Sequence, residues 1–335
     1  MPRHLHIDPF SGIAGDMFLG AALDLGVPLP ELEHALTPLP VHPPYRITAD
    51  RVERHGIGAV DLKVTVSPSA NHETHDHSHG HRHHDHGGHT HDGHDHDHAG
   101  HTPGDDHDGH GHPHHHTAYP DIMAMVDQLN TTDRAKARAR TIVTTLARAE
   151  ARVHGKTLDD IHFHEVGAVD SIVDMLGSVV ALEHLDVDTL SCAPLPISAG
   201  FVRCAHGLMP VPAPATAYLL EDLPTYGVDR RGELVTPTGA ALVKALCSAF
   251  GPPPPMTLHA VGYGAGDRRD PDIPNLLRLF LGQTAATTPG SHPPVPASRD
   301  AASPADESPP PPHSHTHPHP HRHPPSPATP TAPEG

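Results

Sequence analysis

The chain has 335 residues, among them 38 His, 41 Pro and 29 Gly, with no Trp, which is not the composition of one uniform globular domain. Its formal charge of −18 argues against nucleic-acid or anionic-membrane partners, since both need a basic surface. Cys192, Cys204 and Cys247 are too scattered for a disulfide framework and form no CxxC zinc pair; with no apolar leader or membrane-length apolar run, a cytoplasmic protein is expected.

Along the chain, HLHID alternates as a strand. Small residues Ser11, Gly12 and Gly15 then form a turn, and Met17, Phe18, Ala21, Ala22 and Leu25 recur at helical spacing up to a stop at Gly26. Residues 45–54 and 57–66 alternate around His55 and Gly56, predicting an antiparallel hairpin. Residues 71–117 are His, Asp and Gly with almost no apolar side chain, and are expected to be a disordered insertion. A helix over YPDIMAMVDQLN, a long helix ending at Gly155 and a third over Val166 to Leu185 follow. Residues 188–199 read as a strand entering a Pro-rich loop, APATAYLLEDL and PTGAALVKALCSAFG as short helices, and MTLHAVGYGAG and NLLRLFLG as closing strands. Residues 283–335, rich in Pro and His, can build no core. The pattern predicts one α/β domain, with a mixed α+β arrangement as its variant, built from 1–70 and 118–282 as a mixed-sheet sandwich of two or three layers.

Four groups of residues could carry chemistry. In the insertion, His75, His77, His79, His81, His83, His84 and His86 offer many overlapping imidazole sites for Ni, Cu or Zn. Each such site is weak and unselective, which suits a metal reservoir; the bland alternative is a spacer. In HFHEVGAVDSIVD, His162 and His164 share one face of an extended segment, Glu165 follows, and Asp170 and Asp174 stand four apart on a helix. With two His beside the carboxylates, a divalent-metal or acid/base site is the favoured reading; the bland alternative is that Glu165 and Asp170 serve the helix N-terminus and Asp174 is solvated. Asp8 and Asp16 flank a small-residue loop able to hold a cation or a phosphate, or simply to turn. Thr238 and Gly239 in TPTG, and Gly262, Gly264 and Gly266 in GYGAG, are weaker phosphate candidates.

Five stretches occur in the order seen in one family: residues 6–26, 162–174, 201–216 and 233–242, and the GYGAG segment. Together they resemble the nickel-insertion proteins of the nickel-pincer cofactor pathway, the pyridinium-3,5-bisthiocarboxylic acid mononucleotide nickel chelatases. The resemblance implies CTP-dependent insertion of Ni(II), with Mg(II) or Mn(II) accompanying the nucleotide, into the pyridinium bisthiocarboxylate mononucleotide. It also implies an apo lactate racemase-type recipient, a homo-oligomeric assembly and a further C-terminal domain where this chain has its Pro/His-rich stretch. On that reading His164 or Glu165 accepts the ring proton. The rival readings are a nickel or zinc storage protein without catalysis, and a metal-dependent phosphohydrolase using Asp8, Asp16, Asp170 and Asp174.

Deleting residues 71–117 is expected to leave the thermal unfolding of the chain nearly unchanged, because loop length alters closure entropy only slowly, and to cut the number of bound Ni(II) ions sharply. Equilibrium dialysis reads this directly: an unchanged nickel count removes the reservoir role.

Overall fold

The computed structural model describes residues 1–66, 117–163, 168–204 and 207–284. Its elements, in chain order, are β1 (Arg3–Asp8), α1 (Gly15–Asp24), α2 (Leu29–Leu36), β2 (Tyr45–Arg54), β3 (Ile57–Val66), β4 (Thr117–Ala118), α3 (Tyr119–Gln128), α4 (Asp133–His154), β5 (His162–Phe163) and α5 (Val169–His184). There follow β6 (Thr189–Cys192), β7 (Leu195–Ala199), β8 (Phe201–Cys204), β9 (Gly207–Pro210), α6 (Pro214–Leu220), β10 (Thr225–Arg231), α7 (Pro237–Leu246), β11 (Cys247–Phe250), β12 (Met256–Ala265) and β13 (Leu276–Thr284). The described residues thus form the mixed α/β architecture that the sequence predicts. Thr117 and residues 283–284, expected in the insertion and in the C-terminal stretch, belong instead to β4 and β13; the rest of both segments lies outside the described residues.

Seven strands make one mixed sheet in the order β11-β6-β1-β13-β12-β3-β2. β1 runs parallel to β6 and antiparallel to β13, and β12 is antiparallel to β13, so β1, β6 and β12 end on the same side. Period-2 alternation divides β1 cleanly. Leu5 and Ile7 join Leu190, Leu277, Leu279 and Leu281 in a core shared with Phe18 and Leu19 of α1, Val173 and Leu176 of α5, Ile142 and Leu146 of α4 and Leu242 of α7. His4, His6 and Asp8 point to the opposite face.

α1 lies against β12 and β3 closely enough that glycines are required. A Cβ on Gly264 or Gly262 would overlap the carbonyl oxygen of Met17 or Ala21, and one on Gly20 would overlap that of Val60. The hairpin turn is made by His55 and Gly56, both at positive φ (51° and 78°), and α4 is stopped by Gly155 in the left-handed region. No described helix is long and apolar enough to cross a membrane.

Several expectations are corrected. The helix expected over PTGAALVKALCSAFG stops at Leu246, because CSAF pairs in parallel with β6 as the edge strand β11; sheet pairing overrides the helical periodicity there. The 188–199 segment is two strands, β6 and β7, divided at Ala193 and Pro194, and β7 leaves the main sheet to pair with β10. MTLHAVGYGAG, by contrast, is the closing strand expected: all but the last glycine of GYGAG lie inside β12.

Candidate functional site

The carboxyl ends of β1, β6 and β12 gather the loops that carry most of the polar candidates, the usual place for a ligand in an open α/β sheet. The loop after β1 is fixed from both sides. Gly12 donates its N–H to Pro9, and its α-carbon fits against the Leu234 backbone, where a Cβ would overlap the carbonyl. Ile13 N–H bonds Leu234 O at 2.8 Å, and Thr236 N–H bonds Ile13 O at 3.0 Å. Thr236 also caps α7, accepting from Gly239 N–H at 3.2 Å and lying 3.0 Å from the Thr238 hydroxyl. The TPTG and FSGIAG segments, more than 200 residues apart in sequence, therefore make one structural unit.

Asp16, in the first turn of α1, and Asp174, on α5, form a carboxylate pair. Asp174 packs against Gly15 so closely that a Cβ there would lie 2.5 Å from the Asp174 Cβ, and it accepts a hydrogen bond from the Asp16 backbone N–H. Its Oδ1 is buried without a hydrogen-bond partner among the described residues. Burial is the main cause that pushes the Asp16 carboxyl up to about 6, aided by the charges of Asp267 and Asp61 and opposed by the Met17 N–H and by Lys63. Asp174 is held well above the usual carboxylate range by burial, then by the charges of Asp16 and Asp170. Lys63 lies beside the pair, bound to Asp61 at 2.8 Å and to Asp267.

Such a pair can take a hard or borderline divalent cation, which would relieve both the mutual repulsion and the unpartnered Oδ1. Among the described residues no three His, Cys, Asp or Glu side chains are arranged to hold a metal. Two carboxylates leave most of the coordination sphere open.

Asp8 sits apart from this pair. Arg278, its register partner on β13, donates to Asp8 Oδ2 from Nε at 2.9 Å and from Nη2 at 2.5 Å. Ser11 is buried and lies 3.5 Å from Arg230 Nη1. His4 and His6 are buried in a hydrogen-bonded row: His4 Nδ1 to Thr189 Oγ1 at 2.7 Å, and His4 Nε2 and His6 Nδ1 each to Ser191 Oγ at 2.8 Å. Burial lowers the His6 imidazole to about 4, with Asp8 opposing and His4 and Arg278 adding to the effect, so that ring is neutral at pH 7; burial lowers the His4 imidazole as well. Sequence reading treated these histidines only as strand residues. The signal that could have found them is the polar side of an H-x-H-x-D alternation in a buried strand.

The structure thus brings together Asp16, Asp174, Gly15 and, on the preceding turn of α5, the exposed Asp170. His162 is exposed on β5, a two-residue strand paired with β4. Gly262 and Gly264 face α1, and Gly266 fits against Asn275 and the Met17 sulfur; close packing accounts for all three. His164 and Glu165, and the histidines of the insertion from His75 to His86, lie outside the described residues.

Comparison with known proteins gives a consistent answer. The family model described as nickel insertion protein matches residues 5–295. A Geobacter metallireducens protein provisionally named for nickel insertion is 43% identical over 280 residues, covering 83% of this chain and 60% of its own length. Similarly named proteins of Citrifermentans bemidjiense and Syntrophotalea carbinolica are 41% and 42% identical over 279 and 278 residues, covering 61% and 59% of their lengths and 83% of this chain. The chain spans about three fifths of the length of these curated relatives. No solved structure matches it. With the family model covering most of its length, the chain belongs to the nickel insertion protein family.

Proposed function

We propose that the protein inserts Ni(II) into pyridinium-3,5-bisthiocarboxylic acid mononucleotide, acting as a nickel chelatase in a CTP-dependent reaction with Mg(II) or Mn(II). The product is the nickel-pincer cofactor of lactate racemase-type enzymes. The observation that carries this reading is the buried Asp16–Asp174 pair with its unpartnered oxygen, in a chain of the nickel insertion family.

An incomplete two-carboxylate site suits transit better than storage. Ni(II) held by Asp16 and Asp174 keeps open positions, and the two sulfur atoms and the ring carbon of the organic ligand can fill them. The reaction balances simply: two Ni–S bonds and one Ni–C bond form, one ring C–H bond breaks, and one proton leaves. In this proposal His164 or Glu165, which precede α5 in the chain, accepts that proton. The His-rich insertion supplies ions. A further C-terminal domain, which the family resemblance implies, takes part in the CTP-dependent activity, and an apo racemase-type enzyme, in the cytoplasm, receives the product. A homo-oligomer is expected.

The test is reconstitution with the metal-free mononucleotide, Ni(II) and CTP, alone and with a separately supplied C-terminal portion from a relative. Product is read by its absorption and by activation of an apo racemase. If His164 accepts the ring proton or holds the entering nickel, His164→Ala abolishes insertion and leaves thermal unfolding nearly unchanged. Nickel binding without insertion in either arm would overturn the chelatase reading and leave storage.

A further inference from the structure

Three arginines from separate elements converge over the loop after β1. Arg278 comes from β13, Arg230 from the end of β10, and Arg268 from the segment that follows β12. Their side chains are 36%, 16% and 26% exposed, well below what a solvated surface arginine shows. Two carboxylates face them. Asp8 is engaged by Arg278. Asp270 is shared by the other two at distances longer than a charge-assisted hydrogen bond normally takes: 3.5 Å to Arg268 Nη1 and 3.9 Å to Arg230 Nε. Asp270 is also committed elsewhere, its Oδ1 accepting from the Asp272 and Ile273 N–H groups at 3.0 and 3.3 Å.

Donors therefore outnumber acceptors. Each guanidinium carries five N–H groups, yet among the described residues Arg268 Nη2 is buried with no acceptor, and Arg230 Nη1 reaches the Ser11 hydroxyl at a stretched 3.5 Å. Tyr226 of β10 senses the charges of both Asp8 and Arg230, which ties the Arg230 side of the group to the Arg278–Asp8 side. Burial is the main cause that lowers the Arg268 guanidinium from its ordinary value, with Arg230 adding to the effect and Asp270 opposing it. This happens in a chain whose overall charge is −18.

We propose that Arg230, Arg268 and Arg278, with the Ser11 hydroxyl, form a binding site for a phosphate monoester dianion, which is the phosphate of the pyridinium mononucleotide. A tetrahedral dianion supplies the acceptors that Asp8 and Asp270 do not, and planar guanidinium forks match it. Asp267, adjacent in sequence to Arg268, faces Lys63 beside the Asp16–Asp174 pair. A ligand anchored by its phosphate at the arginines thus extends along the sheet end toward the carboxylates. This identification of the phosphate rests on the reading of the substrate as a pyridinium mononucleotide.

The experiment uses the full chain and calorimetric titration with nicotinic acid mononucleotide, its phosphate-free riboside, inorganic phosphate and CTP. The mononucleotide is expected to bind, inorganic phosphate to compete with it, and the riboside to bind at least tenfold more weakly. Arg268→Gln and Arg230→Gln should each weaken the mononucleotide at least tenfold while leaving the riboside unchanged. Arg268→Lys should recover only part of the loss, because a single ammonium cannot reproduce the fork. Thermal unfolding of each variant separates lost binding from lost fold, and Arg230→Gln stands in if Arg268→Gln does not fold. Mononucleotide affinity equal in parent and variants, or loss confined to CTP, overturns the proposal. The insertion assay is separate: insertion with full rate in the arginine variants sinks this site and leaves the chelatase reading standing, whereas arginine-dependent mononucleotide binding without insertion in any reconstitution does the reverse.

Discussion

Asp16→Asn is expected to raise the melting temperature at pH 8 and to abolish nickel insertion. The Asp16 carboxyl titrates at about 6 in the folded protein against an ordinary value of 3.8. A raised carboxylate destabilises the fold where it is ionised, so the penalty is absent below about pH 3.8, grows as pH rises to about 6 and is complete above it. About two units correspond to roughly 3 kcal/mol at pH 8, or an upper bound of about 6–12 °C in a domain of this size. Asn keeps the amide oxygen that the Met17 N–H needs and removes the charge. The gain should disappear by about pH 4. His6 acts in the opposite sense over the same range: its folded value of about 4 lies below the unfolded 6.5, so its contribution is complete above about pH 6.5 and is lost as pH falls toward 4. In the parent the two trends offset each other. In Asp16→Asn the Asp16 part of the opposing trend is gone, and melting temperature should fall more steeply with acid than in the parent. Asp174→Asn should behave like Asp16→Asn in both stability and activity. A variant that is less stable than the parent at pH 8, or that inserts nickel normally, removes Asp16 from the site.

The elements most legible in the sequence are those whose signals are local. The β2–β3 hairpin needs only alternation and residues that tolerate positive φ at His55 and Gly56, and the end of α4 needs only Gly155. What was missed depends on distant partners. α2 is short and opens on Pro30 within its first turn, β8 and β9 are four residues each, and β11 is a strand because β6 lies beside it. The site divides in the same way. Asp16 and Asp174 could be suspected one at a time from their helix positions, but their pairing is made by Gly15, which lets α5 approach α1. The arginine group was invisible because its members lie at 230, 268 and 278 and meet a serine at 11; no window of sequence contains them together.

Gly264→Ala tests how the glycine-rich segment works. A phosphate-cradling loop would tolerate the added methyl in the fold and lose ligand. The structure gives a different account: Gly264 lies near the end of β12 under α1, and a Cβ there would overlap the Met17 carbonyl oxygen and lie 2.6 Å from the Ala21 nitrogen. Both obstacles are helix backbone, which cannot swing aside as a side chain can, so α1 would have to lift from β12. That movement would open contacts of Met17, Phe18 and Ala21, all in the main core. The expected result is loss of more than about 4 kcal/mol, enough to leave little folded protein. Gly56→Ala is the matched control: Gly56 has φ 78° and open space around it, so only backbone strain of about 1 kcal/mol is added. Circular dichroism and thermal melting of the two variants settle the matter. A Gly264→Ala protein that melts like the parent would return the segment to ligand binding, because the helix would then have room that close packing denies it.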